Sequence, residues 1–171
     1  MKELPTLGFT EAIKMASVRI LDFKGRSRRS EFWWWMLVVM VVGFCVSLFI
    51  NNMLASTIWA ICYMFCALSA TARRLQDSGK SAIWVYVSYA LGCVSNLFVS
   101  TSTAITELMD KMDPNQSVLE KVAMQHPDDF VIIFLLGCVF SVSCLIVFIM
   151  CLLDSKPEAN KYGPSPKYVE E

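Results

Sequence analysis

Charge is what this sequence lacks over long distances. Of its 171 residues only 18% are Asp, Glu, Lys or Arg, and none of these falls within 32–72, 81–106 or 130–153. A soluble domain spreads charge over every element, so three such gaps exclude that class and indicate hydrocarbon as the solvent. Fifteen acids balance fifteen bases, which removes the global positive field that recruits nucleic acid. Histidine is nearly absent: His126 stands alone beside Pro127 in an acidic loop, a setting that reads as solvated rather than ligating. No zincin motif, Ser-His pair, phosphate-cradling glycine loop or redox cysteine pair occurs. The seven cysteines (Cys45, Cys62, Cys66, Cys93, Cys138, Cys144, Cys151) all lie inside the apolar runs. Their spacing fits neither a zinc site nor a disulfide framework. They read as soft packing residues, and no metal or other cofactor is expected.

What is present is concentrated in Asp22 to Trp35. Lys24, Arg26, Arg28 and Arg29 fall within six residues, Glu31 follows, and then come Phe32, Trp33, Trp34 and Trp35. Bases in water, indoles at the headgroups and apolar side chains beyond describe a chain entering a bilayer from its cytoplasmic side. The apolar run begins too far into the chain for an ordinary cleaved signal peptide and reads as an uncleaved anchor.

The fold expected is all-α, a four-helix transmembrane bundle. Residues 1–31 form a cytoplasmic arm in which Phe9, Ile13, Ala16 and Ile20, with Ala12 alongside, share one helical face. Such a basic amphipathic helix lies along the bilayer surface or packs on the end of the bundle. The four spans of the 32–153 membrane domain are predicted at about 32–50, 53–72, 82–102 and 130–153. Nineteen residues at about 1.5 Å each cover about 28 Å, close to the hydrocarbon thickness. Asn51-Asn52 marks a tight turn at the far interface, since a chain cannot reverse inside lipid without orphaning backbone groups.

Residues 71–81 read as a second basic loop containing Arg73, Arg74, Asp77 and Lys80, and Trp84 is an interfacial anchor beyond it. The second half of the third span is polar (Ser95, Asn96, Ser100, Thr101) and calls for bonds to a neighbouring helix or its own backbone. In 104–129 two short interfacial helices are expected. One carries Ile105, Leu108, Met109 and Met112 and ends at Asp113-Pro114-Asn115; the other begins at a Ser117–Glu120 capping box. Residues 154–171, with Pro157, Pro164 and Pro166, suggest an extended strip. Thirteen of the fifteen bases fall in the arm, the 73–80 segment and the tail, while 104–129 carries two against six acids. The positive-inside rule therefore places both termini in the cytoplasm, as an even number of spans requires.

Three separated pieces carry a resemblance. They are Asp22-Phe23-Lys24-Gly25-Arg26-Ser27-Arg28-Arg29-Ser30-Glu31-Phe32-Trp33, then Ala72 to Ser81 (Ala-Arg-Arg-Leu-Gln-Asp-Ser-Gly-Lys-Ser), then Asn160-Lys161-Tyr162-Gly163-Pro164-Ser165-Pro166. In this order, over about residues 15–167, the chain resembles the bacterial inner-membrane proteins catalogued as domain of unknown function 805. The resemblance implies a four-helix protein of the bacterial inner (plasma) membrane and no established activity. The family usually has histidine where Gln76 stands and glycine where Ala82 stands. Gln76 thus leaves no acid–base group at that position.

By topology the three pieces share one face. Arg26, Arg28, Arg29, Arg73, Arg74, Lys80, Lys161 and Lys167 are then expected around Glu31 and Asp77. The plain reading is topology plus salt bridges between loops, Glu31 with Arg73 or Arg74 and Asp77 with Arg28. The functional reading is a non-enzymatic scaffold or binding protein that meets anionic phospholipid headgroups, or a partner protein or second copy. Arginine rather than lysine dominates, which favours bidentate phosphate contact. A transporter or channel, formed as an oligomer, is the alternative, weakened because no carboxylate, base or histidine lies within the spans. A lipid-modifying enzyme using Glu31 or Asp77 as base is a lesser one.

Overall fold

A computed structural model describes residues 1–110 and 116–169, with side chains in the second stretch from Val118 onward. Four helices are long and apolar enough to cross a membrane: α2 (Arg29–Ser47), α3 (Met53–Asp77), α4 (Ile83–Thr101) and α7 (Pro127–Leu152). The chain is an all-α, multi-pass membrane protein. Their exposed surface is dense in Phe44, Phe65, Phe134, Phe148 and their aliphatic neighbours, a distribution that only a lipid solvent tolerates. α1 (Phe9–Val18) precedes them, and α5 (Thr103–Asp110) and α6 (Gln116–Gln125) lie between α4 and α7. The proposed Met112 to Asn115 helix end lies outside the described residues, as does the side chain of Ser117 in the capping box.

Local sequence explains the boundaries. Asn52 caps α3, its side-chain oxygen accepting from the Ala55 amide at 3.1 Å, and Asn51-Asn52 makes the turn after α2. Pro127 opens α7, where its missing N–H costs nothing, followed by Asp128 and Asp129 in the first turn. Asp129 accepts from Ser102 Oγ at 2.7 Å and from the Ala104 amide at 3.2 Å, tying the start of α7 to the α4–α5 bend. His126 is not simply solvated. Its Nε2 lies 3.3 Å from Glu107 of α5, linking that helix to the N-cap of α7.

The helices pack in sequence, α1 on α2, α2 on α3, α3 on α4 and α4 on α7. Of the arm's apolar face, Ala12 and Ala16 are buried, Ile13 and Ile20 pack on the core and Phe9 meets Trp34 edge-on at 5.3 Å. Val18 and Leu21 stay exposed, so the arm packs on the bundle while still presenting apolar side chains outward. The shared core joins Phe32, Trp35, Val39, Ala67, Leu68, Leu75, Val85 and Val147.

Three expectations are corrected. Residues 71–77 are not loop: α3 continues to Asp77, because its last polar side chains find buried partners instead of water. The tail is not one extended strip. It turns through an Asn160–Gly163 bridge and ends in β2 (Tyr168–Val169), which pairs antiparallel with β1 (Lys2–Glu3). In α4, Ser100 and Thr101 do bond to the Leu97 carbonyl, each at 2.9 Å. Ser95 Oγ and Asn96 Oδ1, though buried, meet no hydrogen-bond partner among the described residues.

Candidate functional site

The N-terminus of α2, the C-terminus of α3, the N-terminus of α4 and the C-terminus of α7 meet at one end of the bundle. Consecutive helical residues point about 100° apart, so Arg73 and Arg74 leave α3 in different directions. Arg73 reaches the arm, donating to the Arg19 carbonyl at 2.6 Å and to the Asp22 carbonyl. Its other terminal nitrogen stands 3.7 Å from Glu31 Oε1, an ion pair without a hydrogen bond.

Arg74 reaches the end of α7. Its Nε donates to the Cys151 carbonyl at 3.0 Å and a terminal nitrogen donates to the Leu153 carbonyl. These are carbonyls that a helix C-terminus leaves unpaired, and a guanidinium there also suits the negative end of the helix dipole. One turn on, Asp77 lies on the same face as Arg74 and accepts from it, while Ser155 Oγ donates to the same carboxylate oxygen. The second carboxylate oxygen accepts from Arg26 Nε at 2.9 Å.

Arg26 completes the closure. Its terminal nitrogens donate to the carbonyls of Glu158 at 2.9 Å, Gly163 at 3.3 Å, Asp77 at 3.2 Å and Lys156. Gln76 donates to the Phe23 carbonyl at 3.1 Å, and Asn160 donates to the Gln76 carbonyl at 3.0 Å. The three sequence pieces thus converge in one solvent-excluded knot, with Arg73, Arg74 and Asp77 each 0% exposed. Desolvating charge costs several kcal/mol per ion unless pairing and hydrogen bonds offset it. Here backbone carbonyls from four segments do much of that work.

Several candidate residues stand elsewhere. Arg28 does not meet Asp77; it is buried and donates to the Leu4 carbonyl at 3.0 Å. Arg29 and Lys80 are exposed, outside the knot. Lys161 is also exposed, and Lys167 pairs with Asp154 at 3.0 Å and Glu3 at 3.4 Å. Among the four tryptophans read as interfacial anchors, Trp34 and Trp84 are exposed and Trp33 is half-buried against Phe148. Trp35 is a correction: it turns into the bundle and donates to the Cys66 carbonyl at 3.0 Å.

Outside the spans, Asp22 and Asp154 are held below the usual carboxylate range. Burial works against ionised Asp22, but the Lys24 amide and the Arg19 guanidinium outweigh it. Asp154 is lowered chiefly by its bond from Lys167, then by the Ser155 amide. Lys167 is raised in turn, by Tyr168 first and then by Asp154. Sequence reasoning missed Ser155, Asn160 and the tail carbonyls, whose role depends on chain path. The cue within reach was the Asn160–Pro166 piece itself, with Gly163 at φ +124° inside it. Among the described residues no group of His, Cys, Asp and Glu is placed to hold a metal ion.

A model of the family described as protein of unknown function (DUF805) matches residues 20–164, which include the first two converging pieces whole and the third as far as Pro164. No curated protein and no solved structure matches the chain.

Proposed function

Starting from the fact that this chain belongs to the DUF805 family, we propose a non-enzymatic membrane binding protein whose arginine end meets anionic phospholipid headgroups. In this reading that end faces the cytoplasm of a bacterial cell, and both termini lie there with it. The observation that carries it is a division of labour among the bases. Arg26, Arg73 and Arg74 have turned their donors onto the protein's own carbonyls and Asp77. Lys24, Arg29 and Lys80 remain exposed around the knot. Each basic residue near an anionic leaflet contributes about 1 kcal/mol. Three of them therefore organise lipid without selecting one species. The buried network acts as the rigid frame that presents them.

Burial also speaks against the enzymatic alternative. Glu31 and Asp77, the acids a lipid-modifying reaction would recruit, are 1% and 0% exposed, and a general base needs its substrate within hydrogen-bond reach. Transport keeps one supporting observation, the unpartnered Ser95 Oγ and Asn96 Oδ1 on α4. Flux measured in proteoliposomes tests it directly.

The headgroup reading is tested by native mass spectrometry of protein released from nanodiscs of phosphatidylglycerol mixed with phosphatidylcholine. Retention of phosphatidylglycerol over phosphatidylcholine is expected. It should fall several-fold in Arg29→Gln plus Lys80→Gln, with the melting temperature unchanged. Equal retention of both lipids by the unaltered protein overturns the reading.

A further inference from the structure

The packing order leaves one side of the bundle open. α2 contacts α3 and α7 contacts α4, but α2 and α7 are not packed helix against helix. A cleft of about 570 Å³ runs between them, with Leu37 on one wall, Cys144 on the other and Thr71 and Tyr89 on the floor. That volume lies within the range of small-molecule sites, roughly 300–1,000 Å³. From Phe32 to Met40 the α2 wall extends about 12 Å at about 1.5 Å per residue. The rest of its lining is apolar apart from the buried Ser88 of α4, and two floor hydroxyls are engaged: Thr71 donates to the Ala67 carbonyl at 2.8 Å and lies 3.4 Å from the Tyr89 hydroxyl. The Trp33 and Phe148 rings meet across the gap, 5.8 Å between centroids.

A second, polar cleft of about 260 Å³ continues the same gap toward the arginine end. Arg29 and Ser30 line it from the start of α2, Arg28 from the N-cap, Glu3 and Thr6 from the arm, and Asp154 and Lys167 from beyond α7. The bases there differ in commitment. Arg28 serves the Leu4 carbonyl, and Lys167 serves Asp154 and Glu3. Arg29 is exposed; its guanidinium makes no ion pair within 4 Å and no hydrogen bond among the described residues, and its charge acts on Asp154 only at longer range. It stands on the first residue of α2, whose N-cap supplies no side-chain hydrogen bond, so helix dipole and guanidinium charge add.

We propose that the gap between α2 and α7 binds one phospholipid, its acyl chain in the apolar cleft and its phosphate against Arg29 and the start of α2. The occupant follows from the order of the two clefts. An apolar slot open to hydrocarbon, surmounted by a polar slot with one uncommitted cation, complements a molecule that is oil at one end and anionic at the other. This deepens the headgroup reading and rests on it: diffuse attraction becomes a defined site.

The test uses the full-length protein in phosphatidylglycerol vesicles doped with phosphatidylglycerol bearing a diazirine in one acyl chain. Photolabel is expected on the 33–40 and 144–151 segments. Leu37→Trp and Cys144→Trp, which fill the cleft from opposite walls and leave Arg29 in place, should each reduce that labelling several-fold. Leu97→Trp, on an exposed face of α4, should not. Even labelling of all lipid-facing helices, or labelling indifferent to both filling variants, overturns the site. If Arg29→Gln then still lowers phosphatidylglycerol retention, the headgroup reading survives without it. In a parallel oxidation of the same vesicles, a disulfide joining Cys144 of two protein copies overturns it also, by naming a different occupant.

Discussion

Asp77 is the acid on which the buried knot closes. Two guanidiniums and a serine hydroxyl converge on its carboxylate, and its backbone carbonyl accepts from Arg26 and from the Lys156 amide at 3.2 Å each. Asp77→Asn leaves two arginines buried without their counter-charge. Breaking one side of a buried pair costs about 3–5 kcal/mol, so a large drop in thermal stability in mild detergent is expected. Glu31→Gln should also lower stability, because Arg73 then loses the nearest acid, 3.7 Å away. Glu120 is exposed, and Glu120→Gln should leave the melting temperature unchanged. Equal tolerance of these two substitutions would remove Glu31 from the network.

Helix lengths and crossings follow from similarly local chemistry. α3 outlasts the thickness of the bilayer because Arg73, Arg74 and Asp77 extend it into a protein interior rather than into water. It stops where Gly79 takes a φ of +78°, a left-handed turn that favours glycine. Where α2 and α3 cross, a methyl group on Gly43 would stand 2.2 Å from the Tyr63 ring. Gly43→Ala must push that ring aside, and overpacking of this kind costs about 1–3 kcal/mol. Gly137 in α7 has nothing within 4 Å of such a methyl. Gly137→Ala is therefore the matched control, expected to be neutral or slightly stabilising, and thermal melts of the two variants check the contrast.

Across the whole molecule, the two ends of the chain close over the knot. β1 and β2 pair in register Lys2 with Val169, and Lys167 bridges Glu3 and Asp154. Asp154 is held below the usual carboxylate range. Its contribution is therefore present above about pH 4, the ordinary aspartate value, and is lost as pH falls through the lowered one. Lys167 is held above its ordinary value. Its share is present below about pH 10 and is lost only as pH rises through the raised one. The pair is partly exposed, so screening keeps the effect modest. Faster amide exchange at Leu4 and Tyr168 is expected on acidification below pH about 4, relative to the intrinsic rate, and Asp154→Asn should abolish that acid step. Membrane orientation is checked separately. Cysteines placed at Lys24 and Lys80 should react with an impermeant reagent from the same side of the membrane, and one at Met109 from the other. Labelling of the first two from opposite sides would undo the proposed topology.

The sequence alone determined that four stretches live in hydrocarbon and that their basic ends gather together, because a bilayer is a uniform solvent whose demands can be read residue by residue. It also brought the three matched pieces to one end, since alternating spans leave no other arrangement. Which base meets which acid was decided only by the tertiary structure. Arg26 rather than Arg28 reaches Asp77, and Trp35 faces inward where Trp34 faces out. These choices depend on the rotation of α2 and α3 about their axes and on the return path of the tail. Carbonyl oxygens, the principal partners of the buried arginines, are identical at every residue, so no pattern of side chains announces which will be used. Whether a base is buried frame or exposed contact depends on that path, and it separates Arg74 from Arg29.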